Sequence, residues 1–223
     1  MGALDGVREL YRERFDLEER KQKDRLWKIL CRYLQRYFPD NGVIMDIGAG
    51  YCEFINNIKA SKKIAVDMNP DTSNCAGLDV TVFQSVCAPL PFVETSSLDA
   101  VFMSNVLEHL AHKDQVMEVM REIHRVLKVG GRMVILTPNI RFAYREYWDF
   151  FDHQIPLTDK SVAEASLMAG FRIRTVIPAF LPYTTKSRFP QWDILVKLYL
   201  AIPLLWRIFG KQALVVAEKH TAA

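Results

Sequence analysis

The stretch from Val43 to Phe54 constrains the fold of this chain more than any other. Val43-Ile44-Met45-Asp46 is a short apolar run that ends in an acid, as a buried strand would. Gly48-Ala49-Gly50 then predicts a tight turn, and Glu53 to Ile58 predicts the start of a helix. Glycine lets the backbone approach a ligand closely because it carries no Cβ. Glycine turns also follow strands for structural reasons alone, but the order strand, turn, helix is typical of a βαβ nucleotide-binding unit.

A second acid-ended strand supports this interpretation. Lys63-Ile64-Ala65-Val66-Asp67 predicts a short buried strand, and Asp67 lies 19 positions after Gly48. At this spacing a strand-end carboxylate can accept hydrogen bonds from the two adjacent hydroxyls of a ribose. A dinucleotide oxidoreductase would share both features, so they do not by themselves choose between enzyme classes.

Further strands and helices alternate along the chain. The remaining candidate strands cover 79–83, 98–103, 132–137, 171–177 and 212–218. A helix is predicted to open at Ser104 and to end at a glycine C-cap, Gly130-Gly131. This alternation indicates an α/β fold with a Rossmann-like, seven-stranded, mostly parallel sheet and helices on both faces.

We expect a single domain over 1–223. Its predicted parts are an N-terminal helical cap (1–40), a cofactor-binding core with an acceptor roof (41–178), an apolar helical insertion (179–210), and the last strand with its tail (211–223).

Charge and cysteine content narrow the function classes. The net charge is only +3, so no nucleic-acid partner is expected. The four cysteines show neither CxxC spacing nor nearby histidines, and we expect reduced thiols, no metal site and a cytoplasmic location. The N-terminus shows no apolar signal segment.

Five motifs in order make the sequence resemble a class I S-adenosylmethionine-dependent methyltransferase. They are Asp46-Ile47-Gly48-Ala49-Gly50, Val66-Asp67, Leu90-Pro91-Phe92 with Ser97-Leu98-Asp99-Ala100-Val101, Ser104-Asn105-Val106-Leu107-Glu108-His109-Leu110, and Leu127-Lys128-Val129-Gly130-Gly131. The finer resemblance is to the bacterial small-molecule branch, including enzymes of surface-polysaccharide or lipid modification. It is carried by 51–56 and by Phe151-Asp152-His153.

The resemblance implies a set of residues around S-adenosylmethionine. Asp46 and the glycine turn would face the methionine end, and Asp67 would hold the ribose hydroxyls. Asn105 would lie by the sulfonium and the substrate. The full set of implied cofactor-binding residues is Asp46, Gly48, Ala49, Gly50, Asp67, Met68, Val86, Cys87, Ser104, Asn105 and His109. Two departures from the family pattern are the absence of an acid near Val86 and Cys52 in place of a frequent glycine.

The aromatic segment after the fifth strand is the predicted acceptor roof. The candidate substrate-binding residues are Tyr11, Arg141, Tyr144, Tyr147, Trp148 and His153. A core helix would explain the aromatics equally well, and most arginines on helices are solvated. Tyr11 could close over the pocket as part of a lid or face the core of a solvated amphipathic helix.

His153 and Asn105 are the candidate catalytic residues. A hydroxyl acceptor must lose a proton, and an imidazole is suited to take it at neutral pH. His153 could instead order the acceptor loop through backbone hydrogen bonds. Thr158 or Asp159 is predicted to cap the helix that follows, 160–169.

About thirty residues separate the last two strands, where a hairpin would need only a few. The uncharged run from Leu198 to Trp206 is nine residues long and contains Pro203, so it is too short to span a bilayer. Apolar residues over 189–209 with flanking Arg and Lys fit a two-part helix lying at a membrane surface. A lid over the acceptor site or a dimer interface would fit the same pattern, and the oligomeric state is not predicted.

The sequence therefore predicts a methyltransferase that uses S-adenosylmethionine. Its acceptor would be an oxygen of a small or lipid-linked molecule, such as a glycan or glycolipid precursor, reached at the inner face of a membrane. The alternatives are an amine, protein or RNA acceptor, or a non-catalytic cofactor-binding or membrane-docking subunit. An oxidoreductase would need a third glycine where Cys52 stands.

Overall fold

The computed structural model describes residues 17–183 and 192–220, in which strands and helices alternate. The helices are α1 (Leu17–Leu34), α2 (Glu53–Asn57), α3 (Thr72–Cys75), α4 (Lys113–Val126), α5 (Ile140–Ala143), α6 (Asp159–Met168), α7 (Asp193–Ala201) and α8 (Pro203–Phe209). The strands are β1 (Val43–Ile47), β2 (Lys62–Asp67), β3 (Val80–Gln84), β4 (Leu98–Ser104), β5 (Leu127–Pro138), β6 (Phe171–Leu181) and β7 (Gln212–Lys219). Short 3-10 turns cover Gln35–Tyr37, Leu107–His109 and Tyr147–Asp149.

All seven strands form one sheet in the order β3-β2-β1-β4-β5-β7-β6. The pairs among β1 to β5 are parallel, and β7 runs antiparallel to both of its neighbours. Pro138 at the end of β5 and Leu181 at the end of β6 both align with Gln212 at the start of β7. The predicted fold class is confirmed, and the carboxyl ends of the parallel strands share one edge of the sheet.

The core has two layers because side chains alternate between the two faces of each strand. Val101 and Met103 of β4 point to the layer covered by α4 and α6, whereas Ala100 and Phe102 point to the layer covered by α1 and α2. Both faces are apolar, as expected for a mostly parallel sheet with helices on both sides.

The insertion after β6 forms two short helices that break at Pro203, as predicted. Its inner side packs onto the α1 face of the sheet, where the ring of Trp206 lies 5.2 Å from Phe180 and 5.9 Å from Tyr33. The Tyr199 hydroxyl donates to the Phe180 carbonyl at 2.7 Å. Among the helices of the described ranges, none is long and apolar enough to cross a membrane.

Two local predictions are wrong. The helix expected from Ser104 onward does not form there, because Asn105 has φ +54° and is followed by a 3-10 turn, and α4 begins only at Lys113. The predicted glycine C-cap is also absent, since α4 ends at Val126 and Gly130-Gly131 lies within β5. The predicted cap at Thr158 is confirmed, because its hydroxyl accepts from the Ser161 backbone N–H at 3.0 Å.

Candidate active site

The glycine turn after β1 is fixed against β2 by two backbone hydrogen bonds. Gly48 and Ala49 donate to the Val66 carbonyl at 2.8 and 3.2 Å. Gly48 and Gly50 have φ values of +72° and +54°, which L-residues other than glycine rarely adopt. A Cβ on Gly48 would lie 2.3 Å from Cγ2 of Val106, so the loop after β4 packs directly on this turn.

Asp67 joins the turn to the end of β2. Its carboxylate accepts from the Gly50 backbone N–H at 2.6 Å and from the Asn69 backbone N–H at 2.7 Å, through a different oxygen in each case. Burial raises the pKa of Asp67, and backbone hydrogen bonds from Asn69, Gly50 and Met68 oppose that rise. A carboxylate has about four lone-pair sites, so Asp67 can still accept a further hydrogen bond, as from a ribose hydroxyl.

Asp46 is buried beneath the turn, with 3% of its surface exposed. Burial raises its pKa well above the ordinary range, and the nearby charges of Asp67 and Glu53 add to that rise. A hydrogen bond with the backbone of Ile55, in the first turn of α2, has the opposite effect. Asp46 therefore connects β1 to the start of α2, and its predicted place at the methionine end of the cofactor stays a prediction.

Two residues that sequence reasoning missed complete this half of the site. Asn69 is 2% exposed, and its Oδ1 accepts from the Asp71 N–H at 3.0 Å, while its Nδ2 has no hydrogen-bond partner within the described ranges. The Thr72 hydroxyl donates to the Gly50 carbonyl at 2.8 Å. Asn69 could have been noticed from its place two positions after Asp67, whereas nothing in the local sequence marks Thr72.

The remaining predicted cofactor residues line the same edge. Met68 and Val86 are 40% and 46% exposed, as side chains that pack on a bound base would be before it binds, and Cys87 is partly buried. Ser104 ends β4 half-buried, and Asn105 is exposed beside it. Asp67, the glycine turn and Asn105 thus follow one another across the ends of β2, β1 and β4.

A buried carboxylate lies farther along the edge, at the ends of β4 and β5. Glu108 is 1% exposed, and burial raises its pKa to about 7. Its Oε2 accepts from the Thr137 hydroxyl at 3.4 Å, and its Oε1 has no hydrogen-bond partner in the described part of the chain. The Glu108 carbonyl accepts from the backbone N–H groups of Gln154 and Ile155, which holds the loop after α5 against this edge.

Two histidines lie beside Glu108. Nδ1 of His109 lies 3.1 Å from the Asp152 carbonyl and 3.2 Å from its carboxylate. Burial lowers the pKa of His109, but the hydrogen bond to Asp152 and the Glu108 charge outweigh this and leave it raised. Nδ1 of His153 lies 2.9 Å from the Tyr147 carbonyl, and the two imidazole rings are 5.0 Å apart.

An aromatic wall surrounds His153, but it includes only part of the predicted acceptor roof. Tyr147 is fully buried and donates to the Ile155 carbonyl, and Phe150 stacks on the His153 ring at 5.0 Å. Tyr183, which sequence reasoning missed, reaches Nδ1 of His153 at 3.4 Å through its hydroxyl. Tyr144 and Trp148 are exposed.

The other two predicted roof residues are not part of this wall. Arg141 makes an ion pair with Asp159 at 2.9 Å, which ties α5 to α6. Tyr11 lies outside the described residues.

Two groups of polar side chains thus lie along the sheet edge. Asp67 and the glycine turn lie at the ends of β2 and β1, whereas Glu108, His109 and His153 lie together near the ends of β4 and β5. The order of the strands resembles that of class I S-adenosylmethionine-dependent methyltransferases, and residues 45–135 match the family model described as a methyltransferase domain.

Several known proteins similar to this chain are described as methyltransferases or methyltransferase-like. A methyltransferase-like protein of Schizosaccharomyces pombe is 26% identical over 190 residues, which are 82% of this chain and 63% of that protein. The methyltransferase in complex with the Trm112 methyltransferase activator of Haloferax volcanii superposes with a TM-score of 0.69 at 18% identity, covering 92% of this chain and 95% of that one. A SAM-dependent methyltransferase from Archaeoglobus fulgidus gives a TM-score of 0.64 at 21% identity, covering 86% and 94%.

Proposed function

We propose that this protein transfers a methyl group from S-adenosylmethionine to an oxygen of a small or lipid-linked acceptor, such as a glycan or glycolipid precursor. The observation that carries the proposal is the hydrogen bond that links Gly50 to the Asp67 carboxylate. It sets the glycine turn and the predicted ribose-binding acid side by side, with accepting capacity left on the carboxylate. The sequence resemblance to enzymes of polysaccharide and lipid modification is the basis for proposing a glycan or glycolipid acceptor.

The residues of the turn fit the cofactor. Asp67 would accept from the ribose hydroxyls, the backbone of 48–50 would lie against the methionine end, and Met68 would pack on the adenine. The buried Nδ2 of Asn69 is a donor without a partner in the described ranges and can serve a ligand oxygen near Asp67. When bound, S-adenosylmethionine supplies an electrophilic methyl group on a sulfonium sulfur, so that methyl transfer leaves a neutral thioether.

His153 lies where an acceptor oxygen can be prepared for attack. If its Nδ1 carries the proton and donates to the Tyr147 carbonyl, its Nε2 is the basic nitrogen of the ring. An acceptor hydroxyl that forms a bond to the methyl carbon gives up its proton, and the His153 Nε2 can take that proton in the metal-free enzyme. Asn105, exposed at the end of β4, would hold the acceptor in line with the sulfonium.

The outer side of the insertion supports an acceptor drawn from a membrane. Trp192, Ile194, Leu204 and Ile208 are each more than 60% exposed, although Leu200 and Trp206 of the same helices are buried. The basic residues Lys197 and Arg207 are exposed among them. Apolar side chains with Trp and interleaved basic residues are the pattern of an interfacial helix. We propose that this surface rests on the cytoplasmic face of a membrane that contains anionic lipid.

Calorimetry tests the cofactor half of this proposal. S-adenosylmethionine and its demethylated product should bind, and NAD should not. Asp67→Asn should weaken cofactor binding by roughly 10- to 150-fold, the equivalent of a lost charged hydrogen bond of about 1.5–3 kcal/mol. Asp40→Asn, at an exposed acid away from the edge, is the matched control. Binding of NAD, or equal affinities for the two variants, would refute the cofactor assignment.

The acceptor half is tested with labelled cofactor. Lipid and polar extracts incubated with methyl-labelled S-adenosylmethionine should yield a labelled product that fragments as a methyl ether or ester. Labelled N-methyl products, or label in protein or RNA, would assign the acceptor to a different class.

Vesicle sedimentation tests the membrane surface. The protein should sediment with mixed zwitterionic and anionic phospholipid vesicles, and Leu204→Glu with Ile208→Glu should release it. Leu78→Glu with Val129→Glu changes two exposed apolar residues elsewhere and should have no effect. If the unmodified protein stays in the supernatant, the membrane proposal is wrong while the cofactor proposal stands.

A further inference from the structure

Three side chains at the ends of β4 and β5 form a cluster with the composition of a metal site. Glu108, His109 and His153 each offer one ligand atom, and these atoms all lie within 4.8 Å of one another. We propose that this cluster binds one divalent transition-metal ion, such as Zn²⁺ or Mn²⁺, and that the ion binds the acceptor oxygen. This inference rests on the proposed methyl transfer for its role, although the binding site itself does not.

The unpartnered oxygen of Glu108 is the first reason. The side chain is almost fully buried, and its Oε1 has no hydrogen-bond partner in the described part of the chain, while Oε2 faces the Thr137 hydroxyl. A buried carboxylate oxygen without a partner is costly, and a cation between Glu108 and the two imidazoles would remove that cost.

The orientation of the two imidazoles is the second reason. His109 directs Nδ1 at the Asp152 carbonyl and carboxylate, and His153 directs Nδ1 at the Tyr147 carbonyl. With protons on these Nδ1 atoms, the Nε2 atoms are the ring nitrogens that a metal would bind. Metal-binding histidines are held in this way, with the second ring nitrogen donating to a carboxylate or a backbone carbonyl. The cluster therefore has a supporting layer of Thr137, Asp152 and the Tyr147 backbone as well as its three ligands.

The donor set selects the class of ion. Two imidazoles and one carboxylate suit Zn²⁺, Mn²⁺, Fe²⁺ or Co²⁺, whereas Mg²⁺ favours oxygen ligands and keeps several waters. Three protein ligands leave coordination positions open, as in catalytic rather than structural metal sites. A metal in this site would polarise an acceptor hydroxyl in an open position, so that its proton could leave to solvent as the oxygen attacks the methyl carbon, and His153 would then serve as a ligand and not as a free base.

Sequence reasoning gave no hint of this site. Glu108 and His109 lie more than forty positions before His153. The loop that carries His153 reaches them because Gln154 and Ile155 donate to the Glu108 carbonyl.

Metal titration without S-adenosylmethionine tests the inference. The full chain, stripped with a chelator, should bind one Zn²⁺ per molecule by calorimetry, and one Co²⁺ with visible absorption bands that Zn²⁺ abolishes. His153→Gln and Glu108→Gln should each weaken binding more than about 100-fold, because loss of a supporting residue alone typically costs 10- to 100-fold. Asp152→Asn should fall within that lower range.

His112→Gln is the matched control, since it removes an exposed histidine outside the cluster and should leave the affinity unchanged. If the cluster variants do not fold, the wild-type Co²⁺ spectrum and a rise of its melting temperature with Zn²⁺ still decide the question. Absence of one-to-one binding by the wild-type chain, or binding that Glu108→Gln and His153→Gln leave intact, would overturn the inference. Cofactor calorimetry in the presence of chelator is an independent readout, so failure of the metal site and failure of the methyltransferase proposal are distinguishable.

Discussion

Replacement of Gly48 by alanine should damage the turn through two separable effects. The first is conformational, because φ is +72° at this position and a left-handed conformation costs an L-residue roughly 1–2 kcal/mol. The second is steric, because the new Cβ would lie 2.3 Å from Cγ2 of Val106. Overpacking of this kind costs roughly 1–3 kcal/mol, so the total loss of folding stability should be about 2–5 kcal/mol.

Gly130 provides the matched control. Its φ is +80°, and a Cβ built there meets no atom within 4 Å. Gly130→Ala should therefore show the conformational cost alone, roughly 1–2 kcal/mol. Urea unfolding of the two variants, with wild type as reference, measures the difference directly.

A double-mutant cycle isolates the collision. Val106→Ala removes the opposing methyl groups, so Gly48→Ala should cost less in that background, with a coupling energy of roughly 0.5–3 kcal/mol. Equal losses for Gly48→Ala and Gly130→Ala, together with a coupling energy near zero, would refute the claim that the loop after β4 packs on the glycine turn.

Three further predictions follow from the same structure. Burial raises the pKa of Glu108 from 4.5 to about 7, so the folded chain keeps this proton to a higher pH than the unfolded chain. In the presence of chelator, the free energy of unfolding should therefore fall by about 3 kcal/mol as the pH rises from 5 to 8. Glu108→Gln should remove this part of the pH dependence. If wild type and Glu108→Gln lose stability in parallel over this pH range, the assignment to Glu108 is wrong. Trp206→Ala should lower the free energy of unfolding by roughly 3–5 kcal/mol, because Trp206 is buried. Trp192→Ala removes an exposed side chain and should change that free energy by less than about 0.5 kcal/mol. Similar effects of the two substitutions would mean that the insertion is not anchored through Trp206. Thr158→Ala should cost about 1 kcal/mol through loss of the cap on α6, and an unchanged urea midpoint would exclude that role.

The sheet could be predicted because its signals are local. Each of the seven strands carries several apolar residues, and the acids Asp46 and Asp67 lie at or next to the ends of two of them. The alternation of residues between the two core layers follows from the period of a strand. These features depend on neighbours in sequence, so one sequence suffices to find them.

The segment after β4 could not be predicted in this way. Its residues favour a helix, but Gln154 and Ile155 hold the Glu108 carbonyl through hydrogen bonds from a loop more than forty residues away. Tertiary contacts thus override local preference, and Asn105 takes a left-handed conformation at the turn. The same loop brings His153 to Glu108, and a contact between residues so far apart in the chain leaves no local pattern in the sequence.

The antiparallel course of β7 has a consequence for how an acceptor reaches the enzyme. Because β7 starts beside the ends of β5 and β6, both ends of the insertion emerge at the rim that carries Glu108 and His153. A protein anchored in a lipid leaflet by that insertion would hold its reaction centre within a short distance of the headgroups. A lipid-borne hydroxyl would then need only to rise from the leaflet to the ends of β4 and β5, and its tail could remain in the bilayer throughout.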